Sequence, residues 1–269
     1  MKRSRIGALA RRVAATGSAL AALCALALGS APQASAIYHG TAASDGQFPY
    51  AAFVLADDGA NPPHAYRCSG ALIGNAWVVT AAHCLTGTAA RARVILGAAD
   101  ESGSTGARAI STTRGNWIVH PQYDPATLAN DIALIHLPYP VTPDSRTSPV
   151  TRSTSTADYA NSRIVVAGWG LLDDSTTSPV LHYVQTTVMP VADCSRYYGL
   201  TSSMLCMDAH PGGSCQGDSG GPVTIYDVYG KPLLIGIVSF GGGGCANTLP
   251  RVATRIGAFD SWIHQQTWT

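Results

Sequence analysis

The sequence predicts an all-β fold, and three observations carry the prediction. Short apolar runs recur at 51–55, 71–73, 77–80, 93–96, 132–137, 163–167, 184–189 and 233–240. Clusters of Gly, Pro, Asn or Asp lie between them, the spacing of a β-sandwich or barrel. Gly 28 and Pro 16 favour turns over long helices. A helical period appears only near the C-terminus, where Phe259, Trp262 and Ile263 fall at i, i+3 and i+4 after Gly257. The stretch 138–156 is rich in Pro, Ser and Thr and lies close to the middle. It reads as a linker between two halves, 37–145 and 146–269, each large enough for one small barrel. No internal repeat is present.

Residues 1–36 read as a secretory signal peptide. Lys2, Arg3, Arg5, Arg11 and Arg12 form a basic head without an acid, an Ala- and Leu-rich run covers 13–28, and the segment ends Ala34-Ser-Ala36. Basic head, apolar middle and A-x-A site are the three parts of an export signal. A membrane span needs about 20 unbroken apolar residues, and Thr16, Gly17 and Ser18 interrupt this run. Arg11-Arg12 hints at twin-arginine export, but its flanks match poorly. Leu23 before Cys24 does not suit a lipoprotein signal. The expected location is therefore extracellular, with no membrane attachment once the leader is cut.

Removing the leader leaves 233 residues, shifts the net charge from +1 to −4, and removes Cys24. That balance excludes a polyanion-binding protein, which needs a basic face. An apolar content of 46% excludes a disordered chain. Six cysteines remain, at 68, 84, 194, 206, 215 and 245. An even count in an exported chain reads as three disulfides, and six cysteines allow 15 pairings. No C-x-x-C pair is present, so a zinc site is not expected.

Three segments carry chemistry. They are Val79-Thr-Ala-Ala-His83-Cys84, Asn130-Asp131-Ile-Ala-Leu-Ile135, and Gly213-Ser-Cys-Gln-Gly-Asp-Ser219-Gly-Gly-Pro222. A hydroxyl nucleophile is weak at neutral pH and needs an adjacent base, which needs an orienting group. Ser219, His83 and Asp131 supply those types, and the glycines beside Ser219 let a substrate carbonyl approach the backbone. Singly, each has an ordinary reading: a surface histidine, a turn aspartate, a loop serine. Jointly, with a cysteine beside the histidine and strand-like flanks, they point to a triad.

The chain resembles the chymotrypsin-fold, trypsin-like serine endopeptidases. T-A-A-H-C, D-I-A-L and G-D-S-G-G-P stand in the family's order, with Ala167-Gly-Trp-Gly170 and Val238-Ser-Phe-Gly241 as further matches. The likeness runs from Ile37 to the terminal helix. It implies two antiparallel Greek-key six-stranded barrels, a C-terminal helix and a cleft between the barrels. It implies Ser219 as nucleophile, His83 as base, Asp131 as its orienting group, and the N–H groups of Gly217 and Ser219 as an oxyanion hole. Ser239, Phe240 and Gly241 would pair with the substrate backbone. The implied disulfides are Cys68–Cys84, Cys194–Cys206 and Cys215–Cys245. Partners would be protein or peptide substrates and protein inhibitors, acting on a monomer without cofactor or metal. Asp100-Glu101 are adjacent rather than spaced as a calcium loop needs.

Two features depart from the family. Relatives free the amine of an N-terminal Ile, which pairs with the Asp before the nucleophile. Here the pair would be Ile37 and Asp218, so cleavage after Ala36 would yield the active chain with little or no propeptide. The following Tyr38-His39-Gly40 replaces the usual small residues. At the pocket base, trypsins carry Asp six residues before the nucleophile, whereas this chain has Gly213. After Pro250, where relatives carry a small residue, stands Arg251. A guanidinium in that pocket would select an acidic side chain by a charge-assisted pair. The alternatives are a broad chymotrypsin- or elastase-like pocket with Arg251 turned outward or paired to Asp208, and a catalytically inactive homologue that only binds. An α/β-hydrolase is excluded by the order His–Asp–Ser and the lack of a G-x-S-x-G elbow.

Overall fold

The computed structural model describes residues 37–103 and 106–268. The leader expected at 1–36 lies outside the described residues. After a two-residue strand, β1 (Thr41–Ala42), come β2 (Ala51–Asp57), β3 (Ala65–Gly74), β4 (Trp77–Thr80), β5 (Arg91–Leu96), β6 (Arg108–Thr113), β7 (Trp117–Val119) and β8 (Ala133–His136). Strands β2 to β8 form one antiparallel sheet in the order β6–β5–β2–β3–β4–β8–β7. The second sheet follows: β9 (Thr151–Arg152), β10 (Arg163–Gly168), β11 (His182–Met189), the short helix α1 (Val191–Cys194), β12 (Met204–Met207), β13 (Pro222–Tyr226), β14 (Pro232–Gly241) and β15 (Arg251–Arg255). Helix α2 (Asp260–Thr267) ends the chain, on the helical period read from Phe259, Trp262 and Ile263.

The second sheet is a closed six-stranded barrel, β10–β13–β14–β15–β12–β11, because β11 also pairs with β12. The expected pair of β bodies is present, but the first has seven strands and is a half-barrel. Among the described residues no ladder joins its edges, β6 and β7. Those edge strands are consecutive, and only the turn Arg114–Asn116 separates them. The sheet's twist curls the edges together, and chain continuity spans the seam in place of hydrogen bonds. The 138–156 stretch is packed rather than loose. Val141, Ser148 and Val150 donate their N–H groups to the carbonyls of Asn75, Pro49 and Leu72.

Alternation explains where the cores lie. In β5 the side chains read exposed, buried, exposed and then three buried, the half-covered pattern of an antiparallel strand. Val54, Leu72, Val78, Val94 and Ile135 fill the first sheet. Ile164, Val166, Val184, Leu205 and Ile235 fill the closed barrel. A third cluster, with Phe53, Ile132, Trp169, Ile237 and Ile263, joins the two bodies. Burying one such side chain contributes about 1.5–3 kcal/mol, so this joint fixes the relative placement of residues from both halves. Among the described residues no helix is long and apolar enough to cross a membrane.

His120 packs α2 onto the first sheet. Its ring meets the Phe259 and Trp262 rings edge-on, with centroids 5.1 and 5.0 Å away. The N–H of Gln122 donates to its Nδ1 at 3.3 Å, so the neutral ring is the one that fits. Burial lowers its pKa. A histidine with a depressed folded pKa lends stability that is complete above its unfolded value, about 6.5. That stability is lost as pH falls through the folded pKa. Unfolding free energy in urea is expected to drop below pH 6.5, and His120→Gln is expected to flatten the drop. An unchanged pH slope in the variant would remove His120 from this role.

Candidate active site

Strand β4 runs into the turn Ala82–Cys84, which carries His83 at its centre. The Cys68–Cys84 disulfide ties that turn to β3. Asp131 precedes β8 and is fully buried. Asn130 before it adopts φ +54°, a left-handed conformation that Asn tolerates better than most residues. The Asp131 carboxylate is saturated. Oδ1 accepts the His83 N–H at 3.0 Å, Oδ2 meets His83 Nδ1 at 2.8 Å, and Ser239 Oγ donates to Oδ2 at 2.5 Å. The 2.8 Å contact between Nδ1 and a carboxylate oxygen, which can only accept from it, fits a proton on Nδ1. Nε2 is then the basic nitrogen. Thr254 Oγ1 also donates to the Asp131 carbonyl at 2.8 Å. Thr254 lies 123 residues away in sequence, so no local signal marks it.

Ser219 sits on the segment between Cys215 and Pro222. The N–H of Ser69 donates to its carbonyl at 2.8 Å, and Gly220 N–H bonds the Val238 carbonyl at 2.7 Å. The nucleophile's backbone is thus held by both sheets. Ser219, Gly217 and His83 line one cavity. Ser219 also lines a second, beside Arg251. No hydrogen bond joins Ser219 Oγ to His83 among the described residues. Such contacts are often long before substrate binds.

Gly217 takes φ +94°, and a Cβ there would stand 2.9 Å from Gly170 Cα. Only glycine suits both the angle and the space. The N–H groups of Asp218, Gly220 and Gly221 are spent on Cys215, Val238 and Asp218 carbonyls. Those of Gly217 and Ser219 have no protein acceptor among the described residues. These are the two donors expected for an oxyanion.

Asp218 is fully buried. Desolvation pushes its pKa up to about 7, partly offset by N–H bonds from Cys215 and Gly170 and by the nearby Arg67 charge. Those bonds are 2.7 and 2.8 Å long. Ile37 is also fully buried, among Ile164, Val166 and Val184 of the barrel core. Tyr38 exchanges two backbone hydrogen bonds with Gly213, both 3.1 Å. No hydrogen bond links Ile37 to Asp218 among the described residues.

The cavity beside Ser219 is about 200 Å³ and is lined by Ser214, Ser239, Phe240, Gly241 and Arg251, among others. Arg251 turns inward. It is 3% exposed, and among the described residues no hydrogen bond or ion pair joins it to Asp208. At Gly213 a Cβ would stand 3.4 Å from Arg251 Cγ, an ordinary contact. At Gly241 a Cβ would collide with Arg251 Cδ. Nε donates to Ser214 O at 2.9 Å. Nη1 donates to Leu249 O, Asn247 Oδ1 and Gly242 O at 2.9, 3.0 and 3.3 Å. Nη2 donates to Gly244 O and Cys245 O at 3.2 Å each. No carboxylate pairs with Arg251 among the described residues, and burial lowers its pKa.

The disulfides are Cys68–Cys84, Cys194–Cys206 and Cys215–Cys245. The last ties the Ser219 segment to the pocket rim. Clusters such as Cys68, His83 and Cys84 have metal-like spacing, but disulfide sulfurs are not thiolate ligands. Glu101 is taken by Arg67 at 2.5 Å.

Comparison with known proteins agrees with the fold. The family model described as Trypsin matches residues 37–263. Brachyurin of Leptuca pugilator is 37% identical over 86% of this chain and 98% of its own. Human serine protease 56 is 33% identical over 86% of this chain, which spans 38% of that longer protein. A solved HL collagenase structure superposes with a TM-score of 0.76 at 32% identity, covering 87% of this chain and 99% of that one. The chain belongs to the trypsin family of serine endopeptidases.

Proposed function

We propose that this endopeptidase cleaves after acidic residues, through an acyl-enzyme formed on Ser219, and that it acts outside the cell. Ser219 Oγ attacks the peptide carbonyl carbon while its proton passes to His83 Nε2. The carbonyl oxygen becomes an oxyanion facing the N–H groups of Gly217 and Ser219. Collapse breaks the C–N bond, and the proton on His83 leaves with the amine. Water, deprotonated by His83, then attacks the acyl-enzyme, and Ser219 recovers its proton as the acid departs. Asp131 holds the imidazole tautomer and stabilises the imidazolium. Ser239, Phe240 and Gly241 at the end of β14 offer the edge for substrate pairing.

One observation carries the acidic preference: a buried guanidinium with no carboxylate partner, in the cavity beside Ser219. An uncompensated charge in a poorly solvated cavity is costly, and a substrate carboxylate relieves it. Every Arg251 N–H already donates to a protein oxygen, so the substrate carboxylate is drawn by charge attraction, about 2–3 kcal/mol at roughly 6–8 Å and an effective dielectric of about 20. A peptide library is therefore expected to show Glu or Asp before the cleaved bond, and Arg251→Gly should lower the Glu-to-Gln ratio roughly 10–100-fold. Efficient cleavage after aliphatic or aromatic residues, with none after acids, ends the acidic reading. A broad pocket is the second reading, favoured by the full set of carbonyl acceptors already around Arg251.

Secretion and removal of residues 1–36 complete the reading. The near-neutral buried Asp218 carboxyl and the buried Ile37 support a free Ile37 amine as its partner. The two β bodies support the division into 37–145 and 146–269.

A further inference from the structure

The rim of the Arg251 pocket is a run of four glycines, 241–244. Glycine backbone has little shape of its own, so side chains must impose one. Tyr198 Oη accepts the Gly242 N–H at 2.8 Å and donates to Pro250 O at 2.9 Å. Asp174 Oδ1 accepts the Cys245 N–H at 2.5 Å. Asn247 uses both ends of its amide. Oδ1 accepts the Leu249 N–H at 2.8 Å and Arg251 Nη1 at 3.0 Å. Nδ2 donates to Gly242 O at 2.7 Å and also to Gly244 O. Arg251 reaches the same two carbonyls. The amide therefore closes a ring of hydrogen bonds that joins guanidinium and rim.

We propose that Asn247 is a positioning residue for substrate selection, holding the Arg251 guanidinium and the glycine rim in one frame so that the pocket presents a fixed positive charge. The inference takes its substrate class from the acidic reading and its geometry from the hydrogen bonds. A neutral amide is the group this position needs. It accepts from Arg251 without cancelling its charge, and it donates to carbonyls that a carboxylate would repel. An Asp at 247 would stand about where Oδ1 does and convert the contact into an ion pair.

The test compares the unmutated mature enzyme, Asn247→Asp and Asn247→Ala on peptides that differ only before the cleaved bond: Glu, Gln, Leu and Phe. Active-site titration with a serine-directed acylator corrects each preparation for its folded, competent fraction. Asn247→Asp is expected to cut the Glu-to-Gln ratio of kcat/KM at least tenfold. In Asn247→Ala the loss on Glu should appear in KM more than in kcat. A Glu-to-Gln ratio kept by both variants overturns the proposal and leaves the acidic reading standing. Should the unmutated enzyme show no preference for Glu over Gln, the acidic reading falls by itself. Asn247 is then judged on Leu and Phe: a KM raised several-fold in Asn247→Ala supports positioning, and an unchanged KM overturns it.

Discussion

Ser219→Ala is expected to lower kcat by about 10⁶-fold, leaving roughly 10³–10⁴ over the uncatalysed reaction. The residual belongs to the Gly217 and Ser219 N–H donors and to substrate binding, which the substitution spares. His83→Ala should cost nearly as much, and the double variant little more, because base and nucleophile act as one unit. Asp131→Asn should cost about 10⁴. With its amide nitrogen in place of Oδ2, the variant offers a donor where His83 Nδ1 and Ser239 Oγ both need an acceptor, so the imidazole turns to the wrong tautomer. Initial rates on a peptide amide, normalised by folded protein, check all four variants. A Ser219→Ala enzyme retaining a tenth of the activity would place the chemistry elsewhere.

The second large effect concerns the buried carboxyl beside the nucleophile. In the mature enzyme Asp218→Asn, or one extra residue ahead of Ile37, is expected to lower kcat/KM roughly 10²–10⁴-fold. Breaking a buried ion pair by removing one partner costs about 3–5 kcal/mol, and 1.36 kcal/mol is one decade. The loss falls on activity because Asp218 lies between Gly217 and Ser219, the two proposed oxyanion donors. The pH dependence has a definite sign. A free α-amine titrates at about 7.7–8.0, and a carboxylate partner raises that value. The proposed pair holds while Asp218 is ionised and the amine protonated, and is lost as pH climbs through the raised amine pKa, so activity should decline at alkaline pH. Acetylation of the Ile37 amine should abolish activity at all pH values. N-terminal sequencing of the secreted chain supplies the companion check: a start other than Ile37 removes the activation pair.

How much was legible in the sequence follows from how local each feature is. Strand β4 matches its apolar run at both ends, and β10 and β11 match theirs within two residues, because Val and Ile crowd them. β12 escaped notice: it is four residues long and carries two methionines and a cysteine. β15 escaped for a different reason. It contains Arg251 and Arg255 and reads as polar, yet all five of its residues are buried. The closed barrel and the ring of carbonyls pay that cost, and neither is visible along the chain. His83, Asp131 and Ser219 were legible because each lies in a contiguous motif. Thr254, Tyr198 and Asn247 were not, since their partners are brought close only by folding or by a glycine run without fixed shape. Arg251 falls between. Its position was readable, but its inward turn depends on Gly241 leaving space for the side chain.

Everything proposed for the site requires Ser219 to be an activated nucleophile. Its most direct test is to treat the mature protein with a sulfonyl fluoride or phosphonate, digest it, and locate the adduct by mass spectrometry. One adduct per chain is expected, on Ser219, formed in step with loss of activity and absent from His83→Ala. An unlabelled Ser219 in folded mature protein, or an adduct on another residue, would contradict it.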